Sequence, residues 1–381
     1  MKDKLIGIDC TALKANYKGG INSFVSGLME AINSSNRHSK FIIFANSNNF
    51  LFFKKFKKIK LVKINKINLF IKFSLILLGI FKLKKVFLLL NKIIYKNFNK
   101  KFNHELSALY TPTSTINNFF FKNKQILSPH DLQHIYFPSN FNILRRKYRE
   151  FSFKLSINKA DYIQASSNFI KNNILESYPK ITKKKIIKIN ESVNLQFFYP
   201  VNNQNKSKIV FFPAYYWPHK NHKFIISCFK KIIYDFNIDC KLIMCGGNFN
   251  NKARILNELD KSNSKKIIHL GLIDEKKLRH LYQTSTLVLS TASYESSSLP
   301  ILESAACGTA ILASNIHPNI ELKKNLEVNL YELNNEKSFI SSFLKIWNDQ
   351  SLRKRNIKIN LKRIKNYNWL NFVDEIINVC K

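Results

Sequence analysis

The residues best suited to chemistry lie late in the chain, in Tyr294-Glu295-Ser296-Ser297-Ser298-Leu299-Pro300-Ile301-Leu302-Glu303. A small polar loop separates two carboxylates and feeds a helix that the pattern starts at Pro300. A helix N-terminus offers backbone N–H groups and a positive dipole end, which suits phosphate. The Ser hydroxyls add donors. A carboxylate repels phosphate, so Glu295 and Glu303 suit sugar hydroxyls, which donate to them in charge-assisted hydrogen bonds. Helix capping is the competing account of Glu303. A capping-box Glu sits three residues after the N-cap, and with Pro300 at the first helical position Glu303 falls one residue too late.

Three further clusters stand out. Trp217-Pro218-His219-Lys220-Asn221-His222 follows an apolar run that reads as a strand. Ligands of open α/β sheets bind at the carboxyl ends of strands, and there Lys220 is a point charge suited to a diphosphate. A solvated surface lysine is the plainer alternative. His219 and His222 lack a third ligand or a Cys, so a metal is not expected. His130-Asp131-Leu132-Gln133-His134 has the outline of a zinc helix, but the second residue is Asp and the segment follows a strand and a Pro. A zinc protease needs a helical Glu as base, which excludes that reading. His130 is then either a cleft-facing group or a hydrogen-bonded structural His. Gly19-Gly20 before a helix is the fourth cluster, a turn or a place for close backbone approach.

The elements that must position these groups alternate. Short apolar strands are predicted over 209–213, 241–245, 267–270, 287–290 and 310–314. Helical patterns fall between them over 221–236, 274–283 and 300–306. Such alternation implies a parallel sheet with crossover helices. The first half repeats it, with strands over 5–9, 41–45, 126–128, 162–165 and 186–189 and helices over 21–32 and 142–158. Asn202 to Lys208 reads as a linker. The 381 residues exceed what one core supports, about 250–300 residues, so two domains are expected.

Composition bounds the rest. The chain is 45% hydrophobic and 23% charged, ordinary for a folded protein and unlike a disordered one. It carries 62 Lys+Arg against 24 Asp+Glu, a net charge of +38. Either an anionic partner or AT-rich codon usage, which favours Lys, Asn, Ile and Phe, accounts for that excess. No acid occurs from Ala31 to His104, where lysines punctuate Phe, Ile and Leu. That is the chemistry of an interfacial amphipathic segment, or of lysine-fringed core helices. The six cysteines show no CxxC spacing, which suits buried thiols in a reducing compartment. No signal peptide or spanning segment is read, so the expected location is cytoplasmic, peripheral at an inner membrane face.

Taken in order, these residues resemble the retaining glycosyltransferases of family 4, the group 1 glycosyltransferases. The resemblance rests on Glu-x7-Glu, on the strand–loop–Lys-Asn segment, and on Gly-Gly and His-Asp in the first half. Gly271 with Asp274-Glu275 and Ala305-Ala306-Cys307-Gly308-Thr309 extend it. Residues from about 50 to 103 match poorly. It implies a GT-B fold, two Rossmann-like domains facing a cleft. Residues 1–200 would form an acceptor-binding domain with a basic segment over 50–103. Residues 201–364 would form the nucleotide-sugar domain, and 365–381 a helix packing back on the first. It also implies roles. Glu303 would hold ribose hydroxyls, Glu295 would lie at the reacting face of the donor sugar, and Lys220 would neutralise the diphosphate. The amides after Gly19-Gly20 and over Ser296, Ser297, Ser298 and Leu299 would assist. The base would lie near Gly271 and Leu272, and His130 would contact the sugar or position the acceptor. No metal and no cofactor are implied, since the nucleotide sugar is a substrate. The partners would be that donor and a glycan or lipid-linked acceptor; the acid-free lysine segment adds an anionic membrane surface as a further expected partner, and no nucleic acid is expected, since the sequence has no zinc-knuckle, RNP-like or KH-like motif.

Two departures touch the phosphate site. Ser296-Ser297-Ser298 replaces the family's usual Gly-Phe-Gly, and Ala214 stands where many members carry Arg. The Trp217 to His222 segment looks like a subgroup linked to mannose transfer in surface polysaccharides. Three other classes remain open at this point: a nucleotide-sugar epimerase of the same architecture, a non-catalytic family member, and a basic nucleic-acid-binding protein.

Overall fold

In the computed structural model of the chain, the described residues are 5–14, 19–201, 206–247 and 265–380. They divide into two units. The first comprises Met1–Glu191 with Trp369–Lys381, the second Ser192–Asn368.

Among the described residues, the first unit carries a parallel sheet in the order β3-β2-β1-β4-β5-β6-β7. Its strands are β1 Leu5–Asp9, β2 Phe41–Ala45, β3 Lys60–Lys63, β4 Leu106–Thr111, β5 Lys124–Leu127, β6 Tyr162–Ala165 and β7 Ile186–Lys188. The second carries β8 Ser207–Pro213, β9 Lys241–Cys245, β10 Ile267–His269, β11 Ser285–Ser290, β12 Ala310–Ser314 and β13 Asn329–Tyr331. Their order is β10-β9-β8-β11-β12-β13, again parallel throughout. Helices cover parallel sheets on both faces, so inner strands bury every side chain. Every residue of β2 and of β12 is buried. All six cysteines are buried free thiols.

The break between units falls earlier than the expected linker. Val193 and Phe198 join the core built on Val288, Ile301 and Ile311, so the segment before 201 packs with the second unit. The final helix, Trp369–Cys380, belongs to the first unit. Trp369 and Phe372 meet Phe24 edge-on at 5.1 and 5.3 Å, and Arg37 pairs with Asp374. Gly27 allows the close approach, since a Cβ there would lie 2.4 Å from Trp369 Nε1.

Within the acid-free stretch, residues 50–103 fold into a short helix, Phe50–Phe53, edge strand β3 and three longer helices, Leu69–Ile80, Lys84–Ile94 and Lys96–Phe102. Leu75, Gly79, Phe87 and Asn91 face inward. Strand β4, the neighbour of β1 at the centre of the sheet, was not among the predicted strands.

Candidate active site

The carboxyl ends of β8 and β11, adjacent in the second sheet, carry the main residues. After β8 the chain makes a tight turn, Pro218–Lys220, and Asn221 takes a left-handed conformation with φ +60°. That turn is stitched to the segment after β11. Ser293 N–H donates to His219 O at 2.7 Å, Thr291 Oγ1 to Lys220 O at 2.8 Å and Asn221 Nδ2 to Thr291 O at 2.9 Å. The stitching brings Lys220 to Glu295, and their side chains form an ion pair. The two side chains are 19% and 13% exposed. Little water screens them, so their mutual attraction is less damped than in a surface pair.

Glu303 lies on the helix Leu299–Ala306. Ile301, Leu302, Ala305 and Ala306 form its buried stripe, and Glu303 sits beside that stripe, half-buried. Burial raises its carboxyl to about 7. Tyr282, fully buried on the helix Glu275–Thr284, donates its hydroxyl to Glu303 Oε2 at 2.6 Å and works against that rise. The helix starts at Leu299 with Ser298 as N-cap, and Pro300 is its second residue. Glu303 is thus further from a capping-box position than the sequence suggested.

The serine loop is more committed than expected. Ser298 is buried and donates its hydroxyl to Asn319 Oδ1, while Asn319 Nδ2 donates to Ser314 O at 2.9 Å. The N–H groups of Leu299 and Ile301 turn back onto the carbonyls of Ser297 and Ser298 at 3.2 and 2.9 Å, and Pro300 has no N–H. Ser296, Ser297 and Leu299 are half-buried. The Ser298 hydroxyl supports the loop, because its position in the fold gives it a fixed acceptor.

Gly271, with φ +69°, follows β10. It accepts from Gly246 N–H at 2.9 Å and donates its own N–H to His269 Nδ1 at 2.8 Å. Leu272 is exposed and lies against Gly247, where a Cβ would be 2.9 Å from Leu272 Cδ2. His219 and His222 are buried and held neutral, both lowered to about 3 by burial. His222 Nε2 lies 3.2 Å from Ala214 O. Among the described residues, no group of three His, Cys, Asp or Glu could hold a metal ion.

In the first unit, His130 has φ +59°. Its Nε2 lies 2.7 Å from Pro112 O. A carbonyl only accepts, so Nε2 carries the proton and Nδ1 is left as an acceptor. Burial lowers the His130 pKa, and the ring meets Phe24 edge-on at 4.8 Å. Gly19 is the N-cap of the helix Gly20–Ser34, and a Cβ on Gly20 would meet nothing within 4 Å. Among the described residues, none therefore imposes a steric demand for glycine at 20.

The sequence brought Lys220, Glu295 and Glu303 into one neighbourhood by motif, but not their partners. Tyr282, Thr291 and Asn319 carried no signal, being common residues whose roles depend on sheet adjacency.

Residues 196–363 match the family model of the group 1 glycosyl transferases. The chain is 28% identical over 198 residues to the O-antigen chain mannosyltransferase of Salmonella typhimurium, covering 50% of this chain and 52% of that protein. It is 27% identical over 163 residues to an Escherichia coli UDP-Gal:alpha-D-GlcNAc-diphosphoundecaprenol alpha-1,3-galactosyltransferase, covering 42% of each. The chain thus spans about half the length of the curated relatives it matches. In fold it is similar to an Anabaena protein crystallised with UDP and glucose, at TM-score 0.71 and 12% identity over 98% of this chain and 99% of that one. The architecture is the GT-B type, two parallel-sheet α/β domains.

Proposed function

We propose, from the match of residues 196–363 to the family model of the group 1 glycosyl transferases, that the chain is a retaining glycosyltransferase. It would move a hexose, mannose by subgroup likeness, from a nucleotide-diphosphate sugar to a glycan or lipid-linked acceptor in cell-surface polysaccharide synthesis. The acceptor chemistry is suggested by the relatives, whose names specify an O-antigen chain and a diphosphoundecaprenol-linked sugar. A cytoplasmic enzyme placed at the inner membrane face would meet such an acceptor.

The observation that carries the reading is the Lys220–Glu295 pair at the ends of β8 and β11, with Glu303 on the helix that follows. An incoming diphosphate competes with Glu295 for the Lys220 ammonium. It takes over that charge as the bond from sugar to diphosphate breaks, an electrostatic stabilisation of the leaving group. Glu295, released from the lysine, accepts from hydroxyls of the reacting sugar. Glu303, with Tyr282 behind it, accepts from the ribose. Gly271 and Leu272 are assigned to the base, Gly19-Gly20 and the Ser296 to Leu299 loop to the phosphates, and His130 to the sugar or acceptor.

The test is thermal stabilisation by nucleoside diphosphates and nucleotide sugars, with and without EDTA. Binding to the folded state raises Tm by mass action. We expect Tm to rise with a nucleoside diphosphate and to be indifferent to EDTA, because lysine supplies the positive charge. No shift with any nucleoside diphosphate refutes the donor site. A shift that needs a divalent ion refutes its metal independence. A protein that remakes its donor with no acceptor present would be the epimerase instead.

A further inference from the structure

In soluble proteins large apolar side chains scatter singly over the surface; contiguous apolar faces mark interaction sites. The helix Leu69–Ile80 presents such a face. Phe70, Phe73, Leu77 and, just past its end, Phe81 recur at helical spacing, and all four are exposed, between 37% and 77%. The next helix, Lys84–Ile94, repeats the device with Val86, Leu89 and Ile93, 52% to 63% exposed. The opposite sides of both helices are the ones that pack. Gly79 lies against Tyr148 and Phe151, and Phe87 meets Phe119 and Phe151 edge-on. The helices are therefore anchored to the domain by one side and apolar on the other. Lys72, Lys82, Lys84, Lys85 and Lys92 are exposed on the same two helices and the turn between them.

We propose that this helix pair is a bilayer-docking surface. Phe70, Phe73, Leu77, Phe81, Val86, Leu89 and Ile93 would enter the acyl boundary of an anionic leaflet, with the lysines at the headgroups.

Charge decides for lipid over protein. The cores of protein interfaces are depleted of Lys. An interfacial membrane helix combines Phe and Leu with Lys, whose long stem lets the ammonium reach the headgroups. No Asp or Glu lies between residues 31 and 104, so nothing within the segment offsets those charges. The helices have 12 and 11 residues, short of the ~20 needed to span. Among the described residues, no helix is long and apolar enough to cross a membrane. Lying in the interface is the geometry left to them. The surface concerns the acceptor side of the proposed transfer but stands on separate observations, so vesicle binding and nucleotide binding succeed or fail independently.

The experiment is co-sedimentation of the full chain with phosphatidylcholine vesicles and with phosphatidylcholine–phosphatidylglycerol vesicles, at low and high salt. Two variants are compared with the wild type: Phe70→Ser/Phe73→Ser/Leu77→Ser, and Lys82→Glu/Lys84→Glu/Lys85→Glu. The substituted side chains are exposed, so folding should survive; Tm and nucleoside-diphosphate binding check it. The wild type is expected to bind the phosphatidylglycerol vesicles and to bind less at high salt. The lysine variant should lose about hundredfold in partition, and the serine variant at least tenfold. Should the serine variant fail to fold, the lysine variant alone decides. Absence of wild-type binding overturns the proposal, as does sedimentation of either folded variant equal to wild type. A wild-type dimer in analytical ultracentrifugation that the serine variant abolishes assigns the face to a second copy and also overturns it.

Discussion

Tyr282→Phe isolates the carboxylate assigned to the nucleotide's ribose. Tyr282 is fully buried and its hydroxyl donates to Glu303 Oε2 at 2.6 Å. Phe keeps the ring and its packing, so no cavity opens. What goes is one hydrogen bond to the ionised carboxyl, worth about 1.5–3 kcal/mol. At about 1.4 kcal/mol per pH unit, the Glu303 pKa should climb by roughly one to two units. The wild-type value is already raised to about 7 from the ordinary 4.5. The sign follows. A carboxyl raised in the folded state favours its neutral form, so its contribution to stability is fully present below the unfolded value near 4.5. That contribution is lost as pH rises through about 7. On the role proposed for Glu303, donor binding runs the other way, because the ionised carboxylate is the stronger acceptor for ribose hydroxyls. Nucleotide-sugar affinity, measured by calorimetry from pH 5.5 to 9, should therefore rise through a midpoint near 7 in the wild type. In Tyr282→Phe the midpoint should move to about 8–9, with affinity at pH 7 reduced. Nucleotide affinity that ignores pH, or a midpoint that stays in place in the variant, refutes the role given to Glu303.

Further expectations concern the other groups. Lys220→Ala should weaken nucleoside-diphosphate binding at least tenfold, since it removes the cation assigned to the diphosphate and leaves the Glu295 carboxylate largely buried without its ion-pair partner. Glu295→Gln should lower kcat at least tenfold while leaving diphosphate affinity equal or tighter, because the lysine loses its competitor; equal losses in affinity and kcat would contradict the division of labour. Gly27→Leu should lower Tm by several degrees, since even a Cβ there meets Trp369 Nε1 at 2.4 Å and overpacking costs about 1–3 kcal/mol. An unchanged melting curve would remove the helix Trp369–Cys380 from the stability account.

What could be read from the sequence follows burial. Strands β2, β9 and β12 are short apolar runs because both faces of a parallel strand are covered, and those predicted bounds coincide with the observed ones. Strand β4 is equally central, but Ser107 and Thr111 interrupt its pattern and a lysine-rich stretch precedes it. Its placement comes from pairing with β1 and β5, which no local window contains. The candidate site divides in the same way. Glu-x7-Glu is a local spacing and was legible, whereas the Lys220–Glu295 contact joins residues 75 apart and depends on β8 lying beside β11. Tyr282 behind Glu303 and Asn319 behind Ser298 are long-range in the same sense. In the basic segment, composition suggested amphipathic chemistry. Only the packing of Gly79 and Phe87 showed which sides of the helices turn outward.

The central claim is transfer of a sugar with its configuration kept. Its most direct measurement is proton NMR of the product formed by the purified chain from a panel of nucleotide sugars and a lipid-diphosphate-linked glycan acceptor. With the panel restricted to α-linked nucleotide-diphosphate sugars, the account predicts an α-linked product with one of them, lost in Lys220→Ala and in Glu295→Ala. A β-linked product would contradict retention. An acceptor left unmodified by every donor that the protein binds would contradict the transferase reading itself.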